Sequence, residues 1–227
     1  MTLFLLTAVV NATQAQEKRL SIMGLGDSIT EGGNDFESYL YPLWQMLQTE
    51  GYDVTMIGPR HRQTQAGVLS HCGFSGKPVE FLEARIDSIY RLYPADIVLL
   101  HAGHNHFADQ HPVDGMIRAY ENIVRQIWAV NPEAWVLIAQ VTPSGKLPKY
   151  SYIPELNQRI AQMVKATDDQ RLILVDMASG HDWQRMTIHD KVHPNAVGAQ
   201  YMAKRWLEAI KKVWKPCQKK PCDNMQI

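Results

Sequence analysis

The chain has 227 residues, 45% of them hydrophobic and 20% charged. That length suits one domain, and the composition supports a sizeable core and argues against disorder away from the ends. Lys and Arg number 23 and so do Asp and Glu, so neither nucleic acid nor an anionic membrane, which both select basic surfaces, is expected as the main partner.

The first segment reads as an address. Residues 3–10 form a short apolar run, followed by the small residues Ala12, Thr13 and Ala15 and then by a polar stretch over 16–19. This is the layout of a signal peptide over 1–15, and it predicts export. No Lys or Arg precedes the run, and the alternative is a buried N-terminal strand or helix. The run falls well short of the roughly 20 residues that a spanning helix needs, so no stable membrane insertion is expected.

Apolar strands and amphipathic helices then alternate over 16–214. The pattern predicts a strand over 20–25 and a helix over 36–50, with Tyr39, Leu40, Leu43, Met46 and Leu47 on one face and Gly51 as its stop. A strand over 53–57 and a helix over 79–93, ended by Pro94, come next. Residues 96–101 are apolar without alternation, as in a strand covered on both faces. A helix over 113–130, a strand over 135–139, a Pro- and Tyr-rich loop over 142–152 and a helix over 153–167 follow. The last pair is a strand over 171–176 and a helix over 195–214 that begins beside Pro194. In the Lys- and Pro-rich tail over 215–227, Cys217 and Cys222 either close a small loop in an oxidising compartment or, with Cys72, stay free thiols.

Such alternation implies an α/β fold with a parallel sheet covered by helices on both faces. In that class the site lies at the carboxyl ends of the strands, and polar clusters fall there. Gly26-Asp27-Ser28-Ile29-Thr30-Glu31-Gly32 follows the first strand, where a Ser in a tight turn exposes its hydroxyl and offers its N–H to an anion. It lacks the third Gly of a dinucleotide fingerprint, since Ile29 stands there. It also lacks the second Gly of an α/β-hydrolase elbow, since Thr30 stands there. Neither Gly76-Lys77 nor Gly145-Lys146 has the earlier Gly of a phosphate loop.

Gly73-Phe74-Ser75-Gly76 follows the second strand, where Gly lets backbone approach a ligand. Ala102-Gly103-His104-Asn105-His106 follows the third, and the Asn105 amide is suited to a developing oxyanion. Asp190-Lys191-Val192-His193-Pro194 precedes the last helix. An Asp three residues before a His places a carboxylate on one imidazole nitrogen, leaving the other for the Ser28 hydroxyl. The alternatives are plain ones: Ser28 as a helix cap, Asn105 as a turn residue and Asp190 as a polar loop residue.

In this order, these clusters resemble the blocks of the SGNH (GDSL-type) hydrolase family. The resemblance covers about 20–214, and its Ser, Gly, Asn and His fall on Ser28, Gly76, Asn105 and His193. It implies a flavodoxin-like three-layer αβα sandwich with a five-stranded parallel sheet of order 2-1-3-4-5. It also implies a serine esterase working without a cofactor, with Ser28 as nucleophile, His193 as base and Asp190 as orienting acid. The oxyanion hole would comprise the Ser28 and Gly76 N–H groups and the Asn105 amide.

Residues 26–33 and 96–101 look like the acetyl-xylan-esterase-like branch, which implies an O-acetyl ester on a carbohydrate as the acylated substrate. One residue departs from the pattern: His106 stands where the family usually has Asp. Asp27, His104 and Trp183 are further candidates for substrate contact, with Trp183 and the Tyr150/Tyr152 pair read either as a sugar platform or as loop packing. His101, His104, His106 and His111 match no common zinc spacing, so no metal is expected. Two other readings stand beside this one: a lipid esterase or lysophospholipase, and an idle carbohydrate-binding relative.

Overall fold

In the computed structural model, the described residues are 19–65 and 67–216. The expected signal peptide over 1–15, and both Cys217 and Cys222, lie outside them. The first strand, β1 (Leu20–Gly26), is buried along almost its whole length. After the turn helix α1 (Ser28–Glu31) and helix α2 (Leu40–Thr49) comes β2 (Val54–Met56), then a hairpin of β3 (Arg60–Thr64) and β4 (Gly67–Gly73). Helix α3 (Val79–Leu92), strand β5 (Ile97–His101), helix α4 (Val113–Val130) and strand β6 (Trp135–Ala139) follow. Helix α5 (Ile153–Thr167), strand β7 (Leu172–Val175), the short α6 (Trp183–Met186) and α7 (Ala196–Val213) complete the order.

The strands make a seven-stranded sheet rather than the expected five. Without the hairpin, its strands run β2-β1-β5-β6-β7, all parallel, which is the expected order 2-1-3-4-5, and β4 adds a sixth parallel strand beside β1. The addition lies on one edge of β1. There β2 pairs with the first half of β1, Leu20 to Val54 and Ile22 to Met56, and β4 pairs with its end, Leu25 to Cys72 and Gly26 to Gly73. β3 then closes antiparallel on β4. The five residues of β3, Arg-His-Arg-Gln-Thr, include no apolar side chain, so hydrophobic periodicity leaves no trace of it.

Alternate residues along the central strands point to opposite faces. Val98 and Leu100 pack with Met23, Val136 and Ile138 under α3, α4 and α5. Ile97 and Leu99 pack with Ile22, Leu137 and Val175 under α2 and α7, where Trp206 is fully buried. Burying each such large side chain contributes about 1.5–3 kcal/mol, and two separate cores of this kind hold the three layers.

The helix expected over 36–50 begins only at Leu40. Ser38 holds the preceding segment as a loop: its hydroxyl donates to the Thr30 carbonyl at 2.7 Å and accepts from the Leu40 N–H at 3.2 Å. Pro42, in the first turn, is tolerated because no helical carbonyl precedes it there. At the other end of the chain, Asn195 caps α7 by accepting from the Val197 and Gly198 N–H groups.

Candidate active site

The site is built where β1, β4 and β5 end together. After β1 the chain turns sharply, and Gly26 is required: a Cβ there would lie 2.1 Å from the His101 carbonyl oxygen and 2.3 Å from the Thr30 hydroxyl. Asp27 caps α1 by accepting from the Ile29 N–H at 3.0 Å. Ser28 therefore opens a helix, with its N–H unused by the helix ladder, and the residue is 7% exposed.

His193 approaches from the turn before α7. Its Nε2 lies 2.8 Å from Ser28 Oγ, and its Nδ1 lies 2.5 Å from Asp190 Oδ2. The other oxygen of Asp190 accepts from the Val192 and His193 N–H groups at 2.9 and 3.0 Å. Partial burial pushes the Asp190 carboxyl up. The bonds from the His193 ring and the two N–H groups outweigh it and hold the group below its ordinary range. A carboxylate on Nδ1 selects the tautomer with the proton there. Nε2 is then bare and accepts from the Ser28 hydroxyl, as a general base must.

This turn is braced from both sides. The Lys191 carbonyl accepts from Ser144 Oγ at 2.8 Å and from the Gly145 N–H at 3.1 Å. The Ile188 N–H donates to the His193 carbonyl at 2.9 Å. The expected grouping of Ser28, His193 and Asp190 thus exists as one hydrogen-bonded line.

Gly76 sits in an exposed turn after β4 with φ +71°, a conformation that favours Gly, and open space surrounds its Cα. The turn is tied to the Ser28 segment. The Phe74 N–H donates to the Gly26 carbonyl at 2.9 Å, and the Ser75 N–H donates to Glu31 Oε2 at 2.6 Å. Half-buried Asn105 donates from its amide to the Lys77 carbonyl at 3.1 Å, which joins the loop after β5 to the Gly76 turn. One amide N–H remains, since an Asn amide carries two donors.

Two of the residues expected at the substrate, Asp27 and His104, are buried. Asp27 is fully buried; besides capping α1 it accepts from the Gly103 and His104 N–H groups at 3.3 and 3.4 Å. It is a clamp between the turns after β1 and β5. His104 is 2% exposed and donates from Nε2 to the Thr142 carbonyl at 2.9 Å, so it supports the loop over 142–152 from below. Tyr150 and Tyr152 are likewise buried, and the Tyr152 hydroxyl donates to the Gly103 carbonyl at 2.6 Å. This is loop packing rather than a platform.

Trp183 is half-buried and packs flat on Gly145, where a Cβ would come within 2.4 Å of its ring. With Pro143, Leu147, Tyr150 and Pro154 it lines an open cleft of about 440 Å³. His106 turns away toward α3, with Nε2 2.8 Å from Glu80 Oε2. The His–Glu pair anchors the loop to α3, and Asn105 is directed at the Gly76 turn.

Sequence patterning does not reveal Phe36. It falls in a polar Gly-Gly-Asn-Asp context and reads as the start of a helix, yet its ring stacks on His193 at 4.2 Å between centroids. Glu31, which bonds both Arg60 at 2.5 Å and the Ser75 N–H, is a second unforeseen organiser.

The model of the GDSL-like lipase/acylhydrolase family matches residues 25–201. A protein of Ruminococcus flavefaciens named multidomain esterase is 27% identical over 225 residues, a match spanning 84% of this chain and 28% of that protein. The chain thus spans little more than a quarter of that relative's length. Among solved structures, a carbohydrate esterase family 3 protein from Talaromyces cellulolyticus superposes with a TM-score of 0.75 at 21% identity, covering 86% of this chain and 97% of that one. A family 3 carbohydrate esterase of Clostridium thermocellum superposes with a TM-score of 0.73 at 22% identity over the same shares.

Proposed function

The chain belongs to the GDSL-like lipase/acylhydrolase family, and on that premise we propose that it is a secreted serine esterase that removes acetyl groups from carbohydrate. Membership makes it a carboxylic-ester hydrolase. The finer reading is carried by the line Ser28 Oγ, His193 Nε2, His193 Nδ1, Asp190 Oδ2.

In the proposed mechanism His193 takes the Ser28 proton as Ser28 attacks the ester carbonyl. The Ser28 and Gly76 N–H groups and the free N–H of the Asn105 amide hold the oxyanion. His193 then returns the proton to the leaving alcohol, and water releases the acyl group by the same route. Asp190 keeps the base in its active tautomer and faces the imidazolium as it forms.

The preference for a sugar ester rests on the carbohydrate esterases named among the structural neighbours and on the polar Ser144, Ser151 and Asn157 that line the cleft beside Trp183. Trp183 is the proposed sugar contact. The lipid alternative has one observation in its favour: the cleft beside Trp183 is walled mainly by Leu147, Tyr150, Ile153 and two prolines. Export is proposed from the signal-peptide layout of residues 1–15 and predicts a mature N-terminus near Gln16.

The test is a chain-length series with purified protein. Fast hydrolysis of p-nitrophenyl acetate, a steep fall by octanoate, and acetate release from an acetylated polysaccharide are expected. A fluorophosphonate should label Ser28, and Ser28→Ala should abolish both labelling and turnover. Equal rates on acetate and palmitate would move the reading to the lipid esterase. A Trp183→Ala variant should raise KM on the polysaccharide and leave p-nitrophenyl acetate unaffected.

A further inference from the structure

The loop between α1 and α2 places Phe36 flat against the imidazole of His193, 4.2 Å between centroids at an interplanar angle of 23°. Phe36 is half-exposed and belongs to neither apolar core, so filling the interior does not explain it. The loop is built to hold it there. The Gly33 N–H donates to the Phe36 carbonyl at 3.1 Å. A Cβ on Gly33 would stand 2.3 Å from Phe36 Cε1, so only Gly admits the ring.

The brace comes from the hairpin. Arg62 on β3 donates to the Gly33 carbonyl, and its guanidinium lies against Gly32, where a Cβ would be 3.0 Å from Cζ. Gly32 has φ +84°, which suits Gly at this close approach. On the same strand Arg60 pairs with Glu31 at 2.5 Å. The extra hairpin on the sheet edge therefore reaches the base through Arg62, Gly33 and Phe36.

The ring has work to do at that position. Asp190 holds the His193 ring only at Nδ1, and swinging about the Cβ–Cγ bond would lift Nε2 away from Ser28 Oγ. A flat group against the ring face opposes that swing. When the proton moves from Ser28 Oγ to His193 Nε2, the imidazolium that results lies over a π face, which attracts a cation.

We propose that Phe36, held by the Arg62-braced loop, is a positioning residue for His193 that fixes the plane of the base and stabilises its protonated form. The proposal rests on reading Ser28 and His193 as nucleophile and base. The experiment measures kcat and KM on p-nitrophenyl acetate for the wild type, Phe36→Ala, Phe36→Leu, Phe36→Tyr, Arg62→Ala and the Phe36→Ala/Arg62→Ala double variant. Phe36→Ala should lower kcat about 3- to 30-fold, with KM within about twofold. Phe36→Tyr should restore most of the loss. Phe36→Leu, which keeps bulk and removes the π face, should remain impaired.

Arg62→Ala should lower kcat by less, and the double variant should be no worse than Phe36→Ala, because Arg62 acts through Phe36. Wild-type kcat in Phe36→Leu, a rise in KM at constant kcat in Phe36→Ala, or fully additive losses would overturn the proposal. If Phe36→Ala does not fold, the Leu and Tyr variants still decide it. Fluorophosphonate labelling keeps the two readings apart. Labelled Ser28 with unimpaired Phe36 variants sinks this proposal alone, whereas an unlabelled Ser28 and an active Ser28→Ala variant sink the esterase mechanism beneath it.

Discussion

Replacing Asp190 by Asn tests the tautomer argument directly. Oδ1 of the residue is pinned by the Val192 and His193 N–H groups at 2.9 and 3.0 Å, so the new amide must present its NH₂ to His193 Nδ1. Two donors then face each other, and the ring responds by moving its proton to Nε2. That form points N–H at Ser28 Oγ and cannot accept the hydroxyl proton. A hydrogen bond to a charged group contributes about 1.5–3 kcal/mol, so its loss alone is worth about 10- to 100-fold in rate. Tautomer inversion adds to this, and in serine proteases the corresponding change costs about 10⁴-fold in turnover. Here the Asp190 side chain is 26% exposed, so water partly replaces the lost acceptor. The expected outcome is a fall in kcat of about 10²- to 10³-fold, with KM little changed, measured with p-nitrophenyl acetate. A kcat within about threefold of wild type, or a loss expressed in KM alone, would refute the argument.

Asn105→Ala should lower kcat by about 10²- to 10³-fold at nearly constant KM, as removal of one oxyanion donor does. A variant of normal turnover would show that the Lys77 carbonyl, and not a substrate, is the sole partner of that amide. Acid should unfold the protein through its buried imidazoles. Burial lowers His71, His101 and His181 to about 4, and both ring nitrogens of His101 lack a hydrogen-bond partner among the described residues. In the unfolded chain these groups take protons near pH 6.5. Their contribution is therefore complete above that pH and is lost as pH falls from about 6.5 towards 4. Urea midpoints at pH 7 and pH 4.5 check this, and equal midpoints would contradict it.

The candidate nucleophile and base were legible because their chemistry is local in sequence. The turn after β1 needs Gly26 within two residues of Ser28, and the carboxylate that orients His193 lies three residues before it. The central strands were legible for a related reason: a strand covered on both faces, such as Ile97–His101, writes its burial as an unbroken apolar run. The β3 strand was not, since an exposed polar edge strand is defined by its partner, and pairing is not encoded in its own period. Asp27 and His104 show the same limit within the site. A carboxylate and an imidazole beside a reactive serine look like substrate contacts in one dimension. Only the folded chain shows that both are buried, bonded to the turn after β5 and to the loop after β6. Phe36 is the converse case: what carried it from a polar segment onto the face of His193 is a brace from the hairpin, and long-range contacts of that kind exist only once the chain has folded.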